Sequence, residues 1–263
     1  VNNRVIAPDG ALSPEHGGDV VQAILADPAK RAEHIRQLAE LSQTAKGLEL
    51  NYERFHPEVR DAFTAFIRDL RAAMPSDRKL SIVLQPKLSN AIGENGNAID
   101  WRAIEPYANK IRIMAYYYSY STSAHGPAVP KATLHQLADY ALNDPEQGIP
   151  ANKLSIILSL WGWDWPMPVG TPGRLVEFSE AMSTAQAHGV TPLRDPIEST
   201  LNFRYPGADG LEHEVWIDDF QSIRERIELL EAAGIRRVDF WNINTGDPAL
   251  WSYIAARTAE AAK

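Results

Sequence analysis

The sequence has no cysteine among its 263 residues. This absence excludes disulfide bonds, thiolate catalysis and cysteine metal sites, and by itself it does not identify a compartment. Basic residues are outnumbered, with 26 Lys and Arg against 34 Asp and Glu, and they form no cluster along the chain. The formal charge of −8 disfavours binding to nucleic acid or to an anionic membrane, because both require a positive surface.

Several other signatures are also missing. No apolar run reaches the roughly 18 residues needed to cross a bilayer, so no membrane span is predicted. A G-x-G-x-x-G after a strand and a P-loop are both absent, which argues against nucleotide cofactors. The 7 histidines contain no H-x-x-x-H or H-x-H pair, and no G-x-S-x-G elbow occurs. We therefore expect no cofactor, no metal site and no serine-hydrolase chemistry.

What is present is the composition of a folded α/β domain. Hydrophobic residues make up 44% of the chain and charged residues 23%, enough to bury a large core. Strand and helix patterns alternate, which predicts a parallel sheet with right-handed crossovers. The predicted helices are 20–25, 31–42, 57–74, 99–108, 133–142, 175–188, 218–230 and 250–256, and the predicted strands are 47–55, 80–85, 111–118, 154–160 and 237–242.

Residues 166–214 interrupt this alternation. Prolines and glycines surround the predicted helix 175–188, and two extended pieces follow at 201–205 and 214–217. We interpret 166–214 as an inserted α+β subdomain within a single domain that spans 1–263.

The central feature is the stretch Gly47–Phe55, which reads GLELNYERF. A strand directs alternate side chains to opposite faces, so Glu49, Asn51 and Glu53 share one face of it. An ordinary strand that faces water could carry the same row. In an alternating α/β chain, however, a carboxylate at the end of a barrel strand occupies the position where barrel enzymes carry out their chemistry.

This stretch resembles the strand-4 signature D-x-x-D-x-D-x-E of glycoside hydrolase family 18, the chitinase family. Three further segments resemble family motifs in the correct order. IMAYYY is similar to M-x-Y-D of strand 6, ILSLWGWDW to the strand-7 segment of bacterial spore-cortex and cell-wall N-acetylglucosaminidases, and VDFWNINTGDPALW to strand 8. The likeness extends from about residue 19 to 254, and the four motifs together are specific.

The resemblance implies a (β/α)8 TIM barrel that lacks its first two to three strands in this chain, because Glu53 belongs to strand 4. Either about a quarter of the barrel has then been removed, or an N-terminal segment outside this chain completes it. It also implies an extracellular or cell-wall location and a glycan as the partner. The α+β insertion would follow strand 7.

The resemblance further implies substrate-assisted retaining hydrolysis, in which the substrate's own acetamide is the nucleophile. Glu53 matches the general acid, which protonates the leaving oxygen and then activates water. Asn51 occupies the position of the aspartate that orients the acetamide, and Tyr116 matches the tyrosine that hydrogen-bonds it. The candidates for substrate binding are Glu49, Tyr117, Trp161, Asp164 and Trp241, the last of which matches the floor of the sugar subsite.

The departures from the family pattern leave two functions open. Lys46, Glu49 and Asn51 stand where the signature has aspartates, and Tyr117 replaces the aspartate after Tyr116. An amide at 51 cannot supply negative charge, and loss of one preorganised electrostatic group typically costs on the order of 100-fold in rate. One hypothesis is a slow or specialised glycosidase that cleaves β-1,4 bonds next to N-acetylglucosamine in peptidoglycan or chitin oligomers. The alternative is a non-catalytic glycan-binding protein.

Two of the candidates also have a structural interpretation. Trp161, Trp163 and Trp165 have a spacing of two and could be core residues. Asp164 could equally bind a sugar hydroxyl or support the fold.

Overall fold

Helices and strands alternate from residue 47 to residue 159, as the sequence pattern predicts. The computed structural model describes residues 1–2, 5–6, 12–13, 17–116 and 118–261. The strands are β1 Val5–Ile6, β2 Leu12–Ser13, β3 Gly47–Asn51, β4 Lys79–Leu84, β5 Lys110–Met114, β6 Leu154–Ser159, β7 Gly162–Pro166, β8 Arg174–Val176, β9 Leu193–Arg194, β10 Leu201–Pro206, β11 Glu212–Ile217 and β12 Val238–Trp241. The helices are α1 Gly17–Ala26, α2 Pro28–Gln43, α3 Arg60–Ala73, α4 Trp101–Ile104, α5 Lys131–Asn143, α6 Phe178–Ala187, α7 Phe220–Ala232 and α8 Ala249–Ala261.

The five predicted strands form one sheet, in the order β12-β6-β5-β4-β3. The pairs β3–β4 and β4–β5 are parallel, as expected for strands joined by helices. In the described part of the chain this sheet is open, with β3 and β12 at its ends. The fold is therefore the α/β fold of a TIM barrel that does not close, which the sequence predicts.

The chain divides into two compact units. The first contains residues 1–114 and 137–156, and the second contains 115–136 and 157–263. In the first unit, α3 buries the apolar face that the sequence predicts, with Phe63, Phe66, Ile67 and Leu70 almost inaccessible to solvent.

The N-terminal residues extend the edge of the first unit. Asn2 forms an isolated parallel bridge with Asn51 at the end of β3. The amide of Asn51 donates to the carbonyl of Val1 over 2.8 Å, and the amino group of Val1 donates to the carbonyl of Glu49 over the same distance. β1 and β2 pair antiparallel.

The second unit contains an antiparallel sheet in the order β8-β7-β11-β10-β9. This sheet starts at Gly162 and ends at Ile217, and thus extends beyond the predicted insertion 166–214 at both ends. Its apolar face packs with α6. The buried residues of this cluster are Val176, Ala181, Ala185, Phe203, Tyr205, Val215 and Ile217.

Two strands end earlier than the sequence pattern predicts. β3 ends at Asn51 rather than Phe55, and β5 ends at Met114 rather than Tyr118. Beyond β3, Arg54 has a φ of +60°, which is incompatible with an extended strand.

Candidate active site

The polar and apolar faces of β3 are separated as the alternation predicts. Leu48, Leu50 and Tyr52 are buried on one face. The polar residues Glu49, Asn51 and Glu53 are each only partly buried. Glu53 lies two residues beyond the last residue of β3, at the carboxyl end of the strand, where barrel enzymes place their catalytic groups.

Asn51 and Glu53 are in direct contact. The Nδ2 atom of Asn51 donates a hydrogen bond of 3.3 Å to Oε1 of Glu53. The Oδ1 atom of Asn51 is buried and has no hydrogen-bond partner. An unsatisfied buried acceptor costs about 1–3 kcal/mol, so this atom is suited to accept a hydrogen bond from a ligand.

Tyr52, between these two residues, anchors the strand on its other face. Its hydroxyl lies 2.7 Å from Nε2 of His34 on α2, and its ring stacks near those of His34 and Phe66. Burial raises the pKa of Tyr52 and lowers the pKa of His34, so it favours the neutral form of each group. This packing fixes the backbone that carries Asn51 and Glu53.

The carboxylate of Glu49 contacts side chains of β4 and β5. Its Oε2 accepts a 2.6 Å hydrogen bond from Arg112 of β5 and a 3.0 Å hydrogen bond from the hydroxyl of Ser81 of β4. This ion pair joins three neighbouring strands. Protein donors thus hold Oε2 of Glu49, while 41% of its side chain is exposed, and its contact with substrate stays a prediction.

Two aromatic candidates meet within the second unit. Tyr116 lies two residues beyond β5 and Trp161 two residues beyond β6. Their ring centroids are 5.1 Å apart, and the planes are inclined by 68° in an edge contact. Tyr116 is 4% exposed and Trp161 is 8% exposed, so only a small part of each ring is available to a ligand.

Trp241 is the most accessible aromatic candidate. It is the last residue of β12, and 53% of its surface is exposed. Its carbonyl accepts a 2.9 Å hydrogen bond from the amide of Leu160, and its peptide bond to Asn242 is cis. An exposed indole face is suited to the apolar face of a sugar ring. Tyr117, the remaining candidate, lies outside the described residues.

Asp164 is part of a polar cluster in the antiparallel sheet of the second unit. Its side chain is 1% exposed. Oδ2 accepts hydrogen bonds from Arg174 (2.9 Å) and from the hydroxyl of Tyr205 (2.8 Å), and Oδ1 lies 2.8 Å from Nδ1 of His213. Nε2 of His213 in turn lies 3.1 Å from Oδ2 of Asp209. Both carboxylate oxygens of Asp164 thus have partners within the protein, and its contact with a sugar hydroxyl stays a prediction.

His213 titrates in an unusual environment. Burial disfavours its charged form, but the hydrogen bonds to Asp164 and Asp209 outweigh burial and raise its pKa above 6.5. The sequence shows this histidine between two acids, Glu212 and Glu214, yet its partners are other carboxylates. Local sequence gives no signal for the contact with Asp164, because Asp164 lies on a neighbouring strand of the sheet.

The remaining tryptophans of the WGWDW motif are packing residues. Trp165 is fully buried, and its Nε1 donates to the carbonyl of Tyr120 over 3.1 Å. Its ring stacks on Trp163 on one hand and on His125 on the other. Nδ1 of His125 lies 3.1 Å from Glu214, a buried pair that sequence analysis did not assign.

Neither a metal site nor a membrane span is found among the described residues. No group of three or more His, Asp or Glu side chains there is arranged to hold a metal ion. No helix in the same ranges is long and apolar enough to cross a bilayer.

The family model of glycosyl hydrolases family 18 matches residues 16–246. The chain belongs to this family. Among curated relatives, the cortical fragment-lytic enzyme of Bacillus subtilis (strain 168) is 28% identical over 211 residues, which cover 78% of this chain and 48% of the relative. The enzyme of the same name from Bacillus anthracis is 24% identical over 239 residues, covering 89% of this chain and 55% of that protein.

Solved structures of the family share the fold. The Bacillus cereus spore cortex-lytic enzyme SleL superposes with a TM-score of 0.84 at 25% identity, covering 97% of this chain and 57% of that one. A chitinase from Chromobacterium violaceum gives a TM-score of 0.82 at 22% identity, covering 97% and 77% of the two chains. The chain thus spans about half the length of these two curated relatives.

Proposed function

We propose that this family 18 chain hydrolyses β-1,4-linked N-acetylglucosamine glycans of the cell wall, with peptidoglycan or chitin oligomers as substrates. The observation that carries the proposal is the contact between Asn51 and Glu53 at the carboxyl end of β3. Relatives named as cortical fragment-lytic and spore cortex-lytic enzymes support a cell-wall glycan as the substrate class. An extracellular or cell-wall location follows from this substrate.

The proposed reaction is substrate-assisted. Glu53 donates its proton to the glycosidic oxygen while the acetamide oxygen of the same sugar attacks the anomeric carbon, and the bond to the leaving sugar breaks. The resulting oxazolinium ion is opened by water, which transfers a proton to the Glu53 carboxylate as its oxygen bonds to the anomeric carbon. Glu53 is thereby restored, and the configuration of the anomeric carbon is retained.

The other candidates have supporting roles in this proposal. The hydroxyl of Tyr116 donates a hydrogen bond to the acetamide oxygen, and Trp241 provides the surface on which the sugar stacks. Trp161 limits the space beside Tyr116 through their edge contact. The buried Oδ1 of Asn51 accepts the hydrogen bond from the acetamide N–H.

Asn51 also explains why activity should be low. Its amide donates to the Glu53 carboxylate, and a donor of this kind favours the ionised form. The first step requires the protonated form. In addition, a neutral amide cannot balance the positive charge of the oxazolinium ion.

We include in this proposal a further polypeptide segment that supplies parallel strands at the β12 edge, because eight strands close a TIM barrel. Beside that edge a groove has four apolar and four polar lining residues, which are Ile227, Val238, Phe240, Ile254, Glu231, Arg236, Arg257 and Thr258. If the strands beside this edge are missing, the apolar part of the groove should bind an apolar fluorescent dye. Absence of dye binding by the isolated chain would contradict the proposal.

Product analysis by mass spectrometry tests the reaction. N-acetylglucosamine oligomers and purified peptidoglycan are incubated with the parent chain, with Glu53→Gln and with Asn51→Asp. Glu40→Gln, a matched change at an exposed position of α2, is the control. Cleavage that is lost in Glu53→Gln and kept in Glu40→Gln is the expected result.

A glycan-binding protein without turnover is the second candidate, and the neutral amide of Asn51 favours it. It predicts binding of the oligomers, measured by calorimetry, with no products from either the parent or Asn51→Asp. Neither cleavage nor binding would contradict both functions.

A further inference from the structure

The backbone immediately after Glu53 adopts an unusual conformation. Arg54 has a φ of +60°, in the left-handed region that non-glycine residues rarely occupy. Such a conformation costs on the order of 1 kcal/mol or more and persists only where surrounding contacts hold it. The peptide unit between Glu53 and Arg54 takes its orientation from this torsion angle.

One side chain satisfies the exposed amide of this turn. The N–H of Arg54 donates a 3.1 Å hydrogen bond to Oε1 of Gln85, which follows β4 directly. The contact joins residues 31 positions apart in sequence. Without this acceptor, the amide of Arg54 loses the hydrogen bond that joins the turn to the residue after β4.

Backbone packing supports the same turn from two other directions. The amide of Asn95 donates to the carbonyl of Phe55 over 2.8 Å. On α1, a Cβ atom built on Gly18 would lie 1.9 Å from the carbonyl oxygen of Arg54, so the helix backbone approaches the turn as closely as glycine permits. All of these contacts position the turn. Among them, the contact from Gln85 is made by a side chain, so a conservative substitution can remove it.

Gln85 is itself held in place. A Cβ on Gly96 would lie 2.6 Å from the carbonyl oxygen of Gln85, so the loop after β4 packs closely on its backbone. The side chain of Gln85 therefore reaches Arg54 from a fixed base.

We propose that Gln85 is a positioning residue for Glu53, acting through the amide of Arg54. The role rests on the proposed function of Glu53 as the general acid and base. Loss of the hydrogen bond releases Arg54 from the left-handed conformation, and the carboxylate of Glu53 then moves with the peptide unit that follows it. A misplacement of about 1 Å can cost on the order of 100-fold in rate.

Three variants test this role. Gln85→Met has nearly the same shape and removes the acceptor, whereas Gln85→Glu keeps an acceptor oxygen at the same reach. Gln37→Met is the matched control, because Gln37 is exposed on α2 and contacts Glu33. For each variant, kcat and KM are measured with an N-acetylglucosamine oligomer, and hydrogen exchange of the Arg54 amide is measured by NMR.

We expect Gln85→Met to lower kcat by about 10-fold to 100-fold with KM changed less than about 3-fold. We also expect faster exchange at Arg54 in this variant. Gln85→Glu should retain kcat within about 3-fold and keep the Arg54 amide protected, which a loss of general stability would not explain.

Two results would overturn the role of Gln85. The first is an Arg54 amide that exchanges equally fast in the parent and in Gln85→Met. The second is faster exchange with unchanged kcat. A parent chain that cleaves no glycan refutes the proposed function and with it the catalytic role of Gln85, while the exchange data still show whether the contact exists.

Discussion

The carboxylate of Glu53 accepts a 3.3 Å hydrogen bond from the side-chain amide of Asn51. The immediate neighbour of the proposed acid is therefore a neutral donor, where the family signature has an acid. Two carboxyl groups at this distance would share one proton, because both cannot readily ionise side by side. Compared with the aspartate of the family signature, Asn51 has an NH2 group in place of one carboxyl oxygen. It therefore carries no negative charge and has no acidic proton to share with Glu53.

Restoring the acid at position 51 should raise activity. Asn51→Asp is expected to increase kcat by on the order of 100-fold, because it supplies the missing negative charge and leaves a shared proton for Glu53. The rate is measured with a fluorogenic N-acetylglucosamine disaccharide. Asn143→Asp, at an exposed position of α5, makes the same chemical change elsewhere and should leave the rate unaltered. An unchanged rate in Asn51→Asp would favour the glycan-binding alternative.

Removal of the exposed indole should weaken glycan binding. Trp241→Ala deletes the most accessible aromatic candidate, and loss of about 1.4 kcal/mol of stacking energy corresponds to a tenfold higher Kd. Titration calorimetry with an N-acetylglucosamine oligomer measures the change. Tyr120→Ala, which removes another exposed aromatic ring, should leave Kd within about twofold. Equal losses in the two variants would argue against a specific subsite at Trp241.

Gly18 should not tolerate the smallest possible side chain. Alanine in place of glycine in a helix usually stabilises by about 0.5–1 kcal/mol. On α1, however, the new Cβ would lie 1.9 Å from the carbonyl oxygen of Arg54, so we expect Gly18→Ala to destabilise by about 1–3 kcal/mol in urea denaturation. Gly93→Ala is the control, since the nearest atom to its Cβ is 3.6 Å away. A stabilised Gly18→Ala variant would show that the close approach is incorrect.

The insertion should be more stable at mildly acidic than at alkaline pH on account of His213. Its pKa is raised in the folded state, so its charged form stabilises the fold below the unfolded pKa of about 6.5, and this contribution is lost as pH rises through the folded pKa. The difference in thermal midpoint between the parent and His213→Gln should therefore be largest near pH 5.5 and decrease above pH 6.5. His135→Gln, exposed on α5, should show no such trend.

A difference that grows with pH would mean that His213 is neutral in the folded protein. Because each variant is compared with the parent at the same pH, the opposing contribution of His34, whose pKa is lowered by burial, cancels.

The sequence predicts the strand that carries the site but not the end of that strand. Alternation alone assigns Glu49, Asn51 and Glu53 to one face, because side-chain direction in a strand depends on a period of two. The turn at Arg54 depends on Gln85 and Gly18, which contact it from distant parts of the chain. No local pattern encodes those contacts, so the predicted strand continued too far.

The environment of Asp164 could not be predicted for a similar reason. Its position in a family-like segment made it a candidate for a sugar contact, beside a role in the fold. Its partners Tyr205 and His213 are 41 and 49 residues away, and they reach it only through the antiparallel pairing within the insertion. The side chain of Asp164 is thus buried among these partners in the antiparallel sheet.

The long-range contacts of the turn at Arg54 have a consequence for the order of folding. A contact between distant residues must offset the entropy of closing the intervening loop, so it forms after the local helices. The left-handed turn acquires its partners only when both α1 and β4 have been placed beside β3. The proposed catalytic carboxylate is thus oriented late in folding, and a nascent or partly unfolded chain contains Glu53 without an active geometry.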